Sequence, residues 1–110
     1  MIQVGKLERD FQGELVKEIK KILPESLILK NDPNYMQGIP DLIILNNDRW
    51  ATLEVKKSIN SPRQPNQDYY VDRMDEMSFS AFICPENKEV ILRDLQSALS
   101  SRRPARLPKR

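Results

Sequence analysis

Two strand-like segments joined by a very short turn constrain this chain more than anything else in it. Residues 41–46, DLIILN, are a nearly continuous apolar run, which suits a central strand buried on both faces. Residues 49–57, RWATLEVKK, alternate: Ala51, Leu53 and Val55 point one way, and Trp50, Thr52, Glu54 and Lys56 the other. The polar residues 46–48, NND, make a tight turn, so the segments pair as an antiparallel hairpin. In such a hairpin the start of the first strand lies near the end of the second. Asp41 is thereby brought towards Glu54 and Lys56, whose positions on one strand face are about 6 to 7 Å apart. Charge placed there is costly unless a partner, a metal or a task compensates for it.

The remaining elements fall around this hairpin. Leu7, Phe11, Leu15, Ile19 and Ile22/Leu23 recur at steps of three or four, which predicts an amphipathic helix ended by Pro24. SLILK (26–30) reads as a short strand and NDPNYMQG (31–38) as a turn-rich loop. SINSPRQPN (58–66) is a polar loop, and a helix follows over 67–77 with Tyr70, Met74 and Met77 at core-like spacing. FSAFIC (79–84) is a strand. Residues 87–101 supply a last helix whose apolar positions are Val90, Ile91, Leu95, Ala98 and Leu99. The order helix, three strands, helix, strand, helix predicts an α/β layer arrangement on one mixed central sheet. The expected organisation is a single domain over residues 1–100 with a flexible tail, 101–110.

Composition narrows the chemistry. The chain has no histidine and one cysteine, Cys84, which excludes Ser-His-Asp and Cys-His catalysis, intrachain disulfides and the usual zinc sites. Cys84 lies in an apolar run and reads as a small buried hydrophobe. Carboxylates and lysines are left as acid, base and metal-binding groups, a set that favours hard cations. No apolar run approaches the ~20 residues needed to cross a bilayer, and no signal peptide is evident, so a cytoplasmic location is expected. The tail SRRPARLPKR holds five cations and no acid, which leaves the first hundred residues at −3 within a total of +2. A basic tail on a mildly acidic body is a common electrostatic footprint for nucleic acid, and equally a solvated end that aids solubility.

Two carboxylates with a backbone carbonyl and waters make an all-oxygen site for Mg²⁺ or Mn²⁺, and a lysine beside them can stabilise a phosphoryl transition state. Together these describe phosphodiester hydrolysis. Spacing alone also allows a plain alternative, in which Glu54 and Lys56 form a cross-strand ion pair worth a few tenths of a kcal/mol.

Gly38-Ile39-Pro40-Asp41 followed by Leu53-Glu54-Val55-Lys56 resembles the PD-(D/E)xK pattern, in the GxPD...ExK form of the VRR-NUC nucleases. The Asp32-Pro33-Asn34-Tyr35 loop and Gln67 are also similar to small stand-alone VRR-NUC proteins of phages and prophages. The archaeal Holliday-junction resolvases share that core. The resemblance spans about residues 7–99 and implies a restriction-endonuclease-like fold. It further implies that Asp41 and Glu54 bind the metal, that Val55 lends its carbonyl, and that Lys56 is the catalytic lysine. An acid on the first helix belongs to the same pattern; Glu8 is favoured and Glu14 is the alternative. Gln67 would stand near the metal or the scissile phosphate, with Gln64 as its rival.

The function expected from these residues is a Mg²⁺- or Mn²⁺-dependent DNA endonuclease acting on branched or junction DNA as a homodimer, in the host-cell cytoplasm if phage-encoded. Lys57, Arg63 and Arg73 are expected near the mouth of the site, and Arg102, Arg103 and Arg106 along the tail, as phosphate contacts that carry no sequence information. Trp50, Tyr69, Tyr70 and Met77 are the apolar candidates for a subunit interface. Two alternatives remain: a non-catalytic nucleic-acid-binding module on the same fold, and the nuclease subunit of a larger phage replication or recombination complex.

Overall fold

The structure is a computed structural model and describes residues 4–100, with side chains from residue 8 onward. Its elements are α1 (Val4–Ile22), β1 (Leu27–Lys30), β2 (Leu42–Asn46), β3 (Arg49–Val55), α2 (Pro65–Met77), β4 (Phe79–Ile83) and α3 (Lys88–Leu99). The strands lie in the order β1-β2-β3-β4, the first two pairings antiparallel and the last parallel. A parallel pair needs a crossover between its strands, and α2 is that crossover. The fold is thus α/β, a four-stranded mixed sheet flanked by helices.

The hairpin closes through Asn47 and Asp48, with Asn46 paired to Arg49. Asn47 has φ 57°, a left-handed conformation that asparagine tolerates better than most residues. Leu42 pairs with Leu53, so Asp41, one step before β2, comes opposite Glu54. That register decides which face every side chain takes.

One sheet face carries Leu42 and Ile44 of β2, Ala51, Leu53 and Val55 of β3, and Ile83 of β4. Leu15 and Ile19 from α1, Leu23 just beyond its end, and Leu95 and Leu99 from α3 bury it in a single cluster. The buried Asn46 donates its side-chain amide to the carbonyl of Leu99 at 2.8 Å, satisfying a group at the end of α3. Lys88 and Glu18, 3.1 Å apart, tie α3 to α1.

The opposite face is only half covered. α2 packs over β3 and β4, where Thr52 bonds to Ser80 at 2.7 Å and to the sulfur of Met74 at 3.4 Å. The polar side of β3 is therefore buried as well, Thr52 and Glu54 included. Over β1 and β2 no helix lies on this face among the described residues. The central strand consequently departs from the expected burial on both faces: Ile43 is only partly buried and Leu45 is 37% exposed. Two helix expectations also shift. In α2 the buried residue is Val71 while Met77 is exposed, and in α3 Val90 is exposed while Leu95 and Leu99 are buried. Both helices touch the sheet along a narrower stripe than their apolar residues suggest.

Cys84 is buried, as its apolar run implies. No helix among the described residues is long and apolar enough to cross a membrane. Leu53, fully buried where β3 meets both neighbours, marks the centre of the core. Leu53→Ala should cost about 2 to 5 kcal/mol in urea unfolding, against less than about 0.5 kcal/mol for Val90→Ala on the exposed side of α3.

Candidate active site

The site forms where β3 ends. Strand pairing puts Asp41 and Glu54 side by side on the α2 face, and the Asp41 Oδ2 accepts the backbone N–H of Val55 at 2.8 Å. Glu54 is 5% exposed. Burial, then the charge of Asp41 and a hydrogen bond to it, raise the Glu54 pKa to about 8; the Lys56 charge opposes this, and Glu8 adds a small push in the same direction. Two acids at this spacing do not both ionise readily without a cation.

β3 hands over to a short extension whose backbone still follows the sheet, with the Lys56 N–H bonded to the Ile83 carbonyl at 2.8 Å. The Lys56 ammonium donates to the Pro62 carbonyl at 3.0 Å and to the Gln67 Oε1 at 2.9 Å. Gln67 also donates through its Nε2 to the Glu54 Oε2 at 3.2 Å, and its Oε1 accepts the Gln64 backbone N–H at 3.0 Å. Its two ends are thus assigned by partners of opposite kind, oxygen to donors and nitrogen to the acid. Gln67 reaches the site because α2 starts there: Gln64 is the N-cap and Pro65, whose missing N–H costs nothing in a first turn, opens the helix. Gln64 takes part through its backbone, holding Gln67.

Glu8 and Asp41 line a common open cleft of about 280 Å³ with Arg9 and Gln12. Glu14 is exposed on α1 and is not among that cleft's residues. Among the described residues no three Asp, Glu, His or Cys side chains converge on one metal position. Asp41 and Glu54 are the acids the fold brings together, and Glu8 stands back across the cleft.

The expected phosphate contacts are spread out. Lys57 is exposed directly after Lys56. The Arg63 guanidinium lies 3.9 Å from the centre of the Phe82 ring and 3.1 Å from Asp68, and it lines a small pocket together with Lys56. Arg73 is exposed on α2, about 9 Å along the helix from Gln67. Arg102, Arg103 and Arg106 lie outside the described residues. The sequence offered no sign of the Pro62 carbonyl as a partner of Lys56, because a backbone acceptor leaves no mark in residue type.

The raised Glu54 pKa fixes how stability follows pH in metal-free protein. A carboxyl that titrates near 8 when folded and near 4.5 when unfolded favours the folded state fully below the lower value, and that contribution is lost as pH rises through the upper one. Metal-free protein should therefore lose several degrees of Tm between pH 6 and pH 9. Glu54→Gln should flatten that part of the profile, as read by thermal unfolding in EDTA; an unchanged profile would mean that Glu54 is ionised throughout.

No family model matches the chain, and no curated protein matches it in sequence. A solved structure described as a VRR_NUC domain protein superposes on it with a TM-score of 0.53 and 17% identity, over 80% of this chain and 87% of the other. At that identity the likeness is one of fold: the four-stranded mixed sheet with its flanking helices is the architecture the two chains share.

Proposed function

We propose that the chain is a metal-dependent nuclease that hydrolyses phosphodiester bonds in DNA, with the site at the end of β3. One observation carries the reading. A buried glutamate, with Asp41 at its side, stands beside a lysine, and one glutamine bridges acid to lysine, an arrangement far more elaborate than a surface ion pair requires.

The donor set fits a hard divalent cation. Asp41, Glu54 and the Val55 carbonyl would hold Mg²⁺ or Mn²⁺ through oxygen, and a cation there would oppose the two effects that raise the Glu54 pKa, its burial and the neighbouring Asp41. Such an ion, when bound, lowers the pKa of a coordinated water and draws charge from a phosphoryl oxygen. The protein's own groups do the rest. Asp41 is fixed by the Val55 N–H, so its second oxygen is aimed without side-chain searching. Lys56 spends two of its three N–H donors on Pro62 and Gln67, leaving the third for a phosphate oxygen as negative charge builds on it. Gln67 keeps the ammonium and the Glu54 carboxylate at fixed separation. Glu8, across the cleft, contributes at longer range through the solvent shell.

A branched substrate and a homodimer belong to the same reading. The uncovered half of the sheet carries Leu27, 63% exposed, Leu29, 47% exposed, and Leu45, with Trp50 paired to Leu45 on β3. A contiguous apolar patch on an edge strand is a hazard unless something covers it. A second copy, related by a two-fold axis, would cover it and present two sites to the two strands of a branch. The expected interface residues Tyr69 and Met77 are exposed on α2, whereas Tyr70 and Trp50 are partly buried.

Incubation with a labelled four-way junction, a matching duplex and a single strand, in Mg²⁺, Mn²⁺ or EDTA, tests the activity. Metal-dependent cutting is expected. Lys56→Ala and Asp41→Asn should each lower it by a hundredfold or more, with DNA binding by Lys56→Ala nearly intact. Full cutting by Lys56→Ala would remove its catalytic role, and binding without cutting in every condition would favour a non-catalytic module. By sedimentation, the wild type should run as a dimer and Leu29→Lys/Leu45→Lys as a monomer; a monomeric wild type would free the apolar patch for another partner.

A further inference from the structure

A second cleft, of about 400 Å³, opens between the 31–38 loop and the first turn of α2. Its walls include Asn34, Gln37 and Gly38 from the loop and Gln64, Asn66 and Gln67 from the helix start, all of them uncharged. Gln67 belongs to this cleft and to the acid–lysine site at once, so whatever occupies the cleft lies next to Glu54 and Lys56. The loop is held in place. Asn31 donates to the carbonyl of Pro40 at 2.6 Å and, through its backbone, to that of Asp41 at 2.8 Å, while Asn66 donates to the Gln37 carbonyl at 3.0 Å. Gly38, at φ +89°, permits that close approach: a Cβ there would come within 2.5 Å of the Asn66 side chain.

Three features of this cleft point to one class of ligand. Amides both donate and accept, which suits the mixed edge of a nucleobase, and the absence of a lysine or arginine in the lining suits a phosphate poorly. Between Asn34 and Gln37 the loop carries Tyr35, 83% exposed. An aromatic ring left that bare on an ordered loop offers a stacking surface. A base inside a duplex, however, is stacked on both faces and has its pairing edge occupied.

We propose that this cleft seats an unpaired base of the DNA strand being cut, which stacks on Tyr35 and presents its edge to the amides of Asn34 and Gln37. The inference rests on the nuclease reading and adds the substrate feature recognised: a nucleotide out of its stack, beside the scissile phosphate. It would give the nuclease a preference for branched DNA, since a branch or flap supplies such a nucleotide and a plain duplex does not.

Binding measured by fluorescence anisotropy with the full chain in Ca²⁺, with no Mg²⁺ or Mn²⁺ added, tests it. The probes are a labelled duplex with a single-stranded arm, the same molecule with abasic residues in the arm, and a fully paired duplex. Wild type should prefer the natural arm over the abasic one by roughly 5- to 100-fold. Tyr35→Ala and Asn34→Ala/Gln37→Ala, all at exposed positions, should lower affinity for the natural arm to the abasic level and leave duplex affinity unchanged. Equal affinity for both arms, in protein that cuts DNA in Mg²⁺, would overturn the base site and leave the nuclease reading standing. A Tyr35→Ala variant that weakens arm and duplex alike would do the same. Protein that neither binds any probe nor cuts in Mg²⁺ would sink both.

Discussion

The pairing of Leu42 with Leu53 is the constraint on which the rest depends. Slipping β2 by one residue against β3 would turn Leu42 and Ile44 away from α1 and α3 and push Asp41 out of line with Glu54. The apolar side chains that make the core and the acids that make the site are thus placed by one set of backbone hydrogen bonds. Burial of Leu42, Ile44, Leu53 and Val55 stabilises the register, and that stability offsets the cost of seating Glu54 beside Asp41 in a dry position. A two-residue turn with Asn47 in a left-handed conformation leaves the hairpin little freedom to choose another register.

α2 converts that hairpin into a site. As the crossover between parallel strands it must return over the sheet, and it does so with its first turn above the end of β3. Gln67 therefore meets Glu54 and Lys56, and Asn66, one residue earlier, meets the 31–38 loop. The same helix leaves β1 and β2 bare, because one helix is too narrow to cover four strands. The positioned acid–lysine group and the exposed Leu27, Leu29 and Leu45 are two consequences of a single placement.

Much of this was legible in the sequence because period and turn chemistry are local. The hairpin, the order of elements and the convergence of Asp41 with Glu54 follow from alternation over 49–57 and the NND turn. What escaped depends on how far neighbours reach. Nothing in the run Leu42–Leu45 says that no helix covers one of its faces, and the apolar spacing of Met77 or Val90 does not reveal that its stripe overshoots the contact. Glu8 and Glu14 both suit the first helix by spacing; the rotation of α1 against the sheet, set by Leu15 and Ile19, turns Glu8 towards Asp41.

A mildly acidic body is an awkward partner for a polyanion. Residues 1–100 sum to −3, and the acids that would serve hydrolysis face the phosphate they would act on. Under the nuclease reading, that repulsion is relieved in three places: by a cation between Asp41 and Glu54, by the basic tail, and by contacts that do not depend on charge. Neutral amides and an exposed tyrosine gain most when a base is already unstacked, since the energy of opening a duplex is then not drawn from binding. On that reading, a net-acidic body would be biased towards DNA whose shape has freed a nucleotide. Under the nuclease reading, selectivity for structure would follow from weak electrostatic attraction itself.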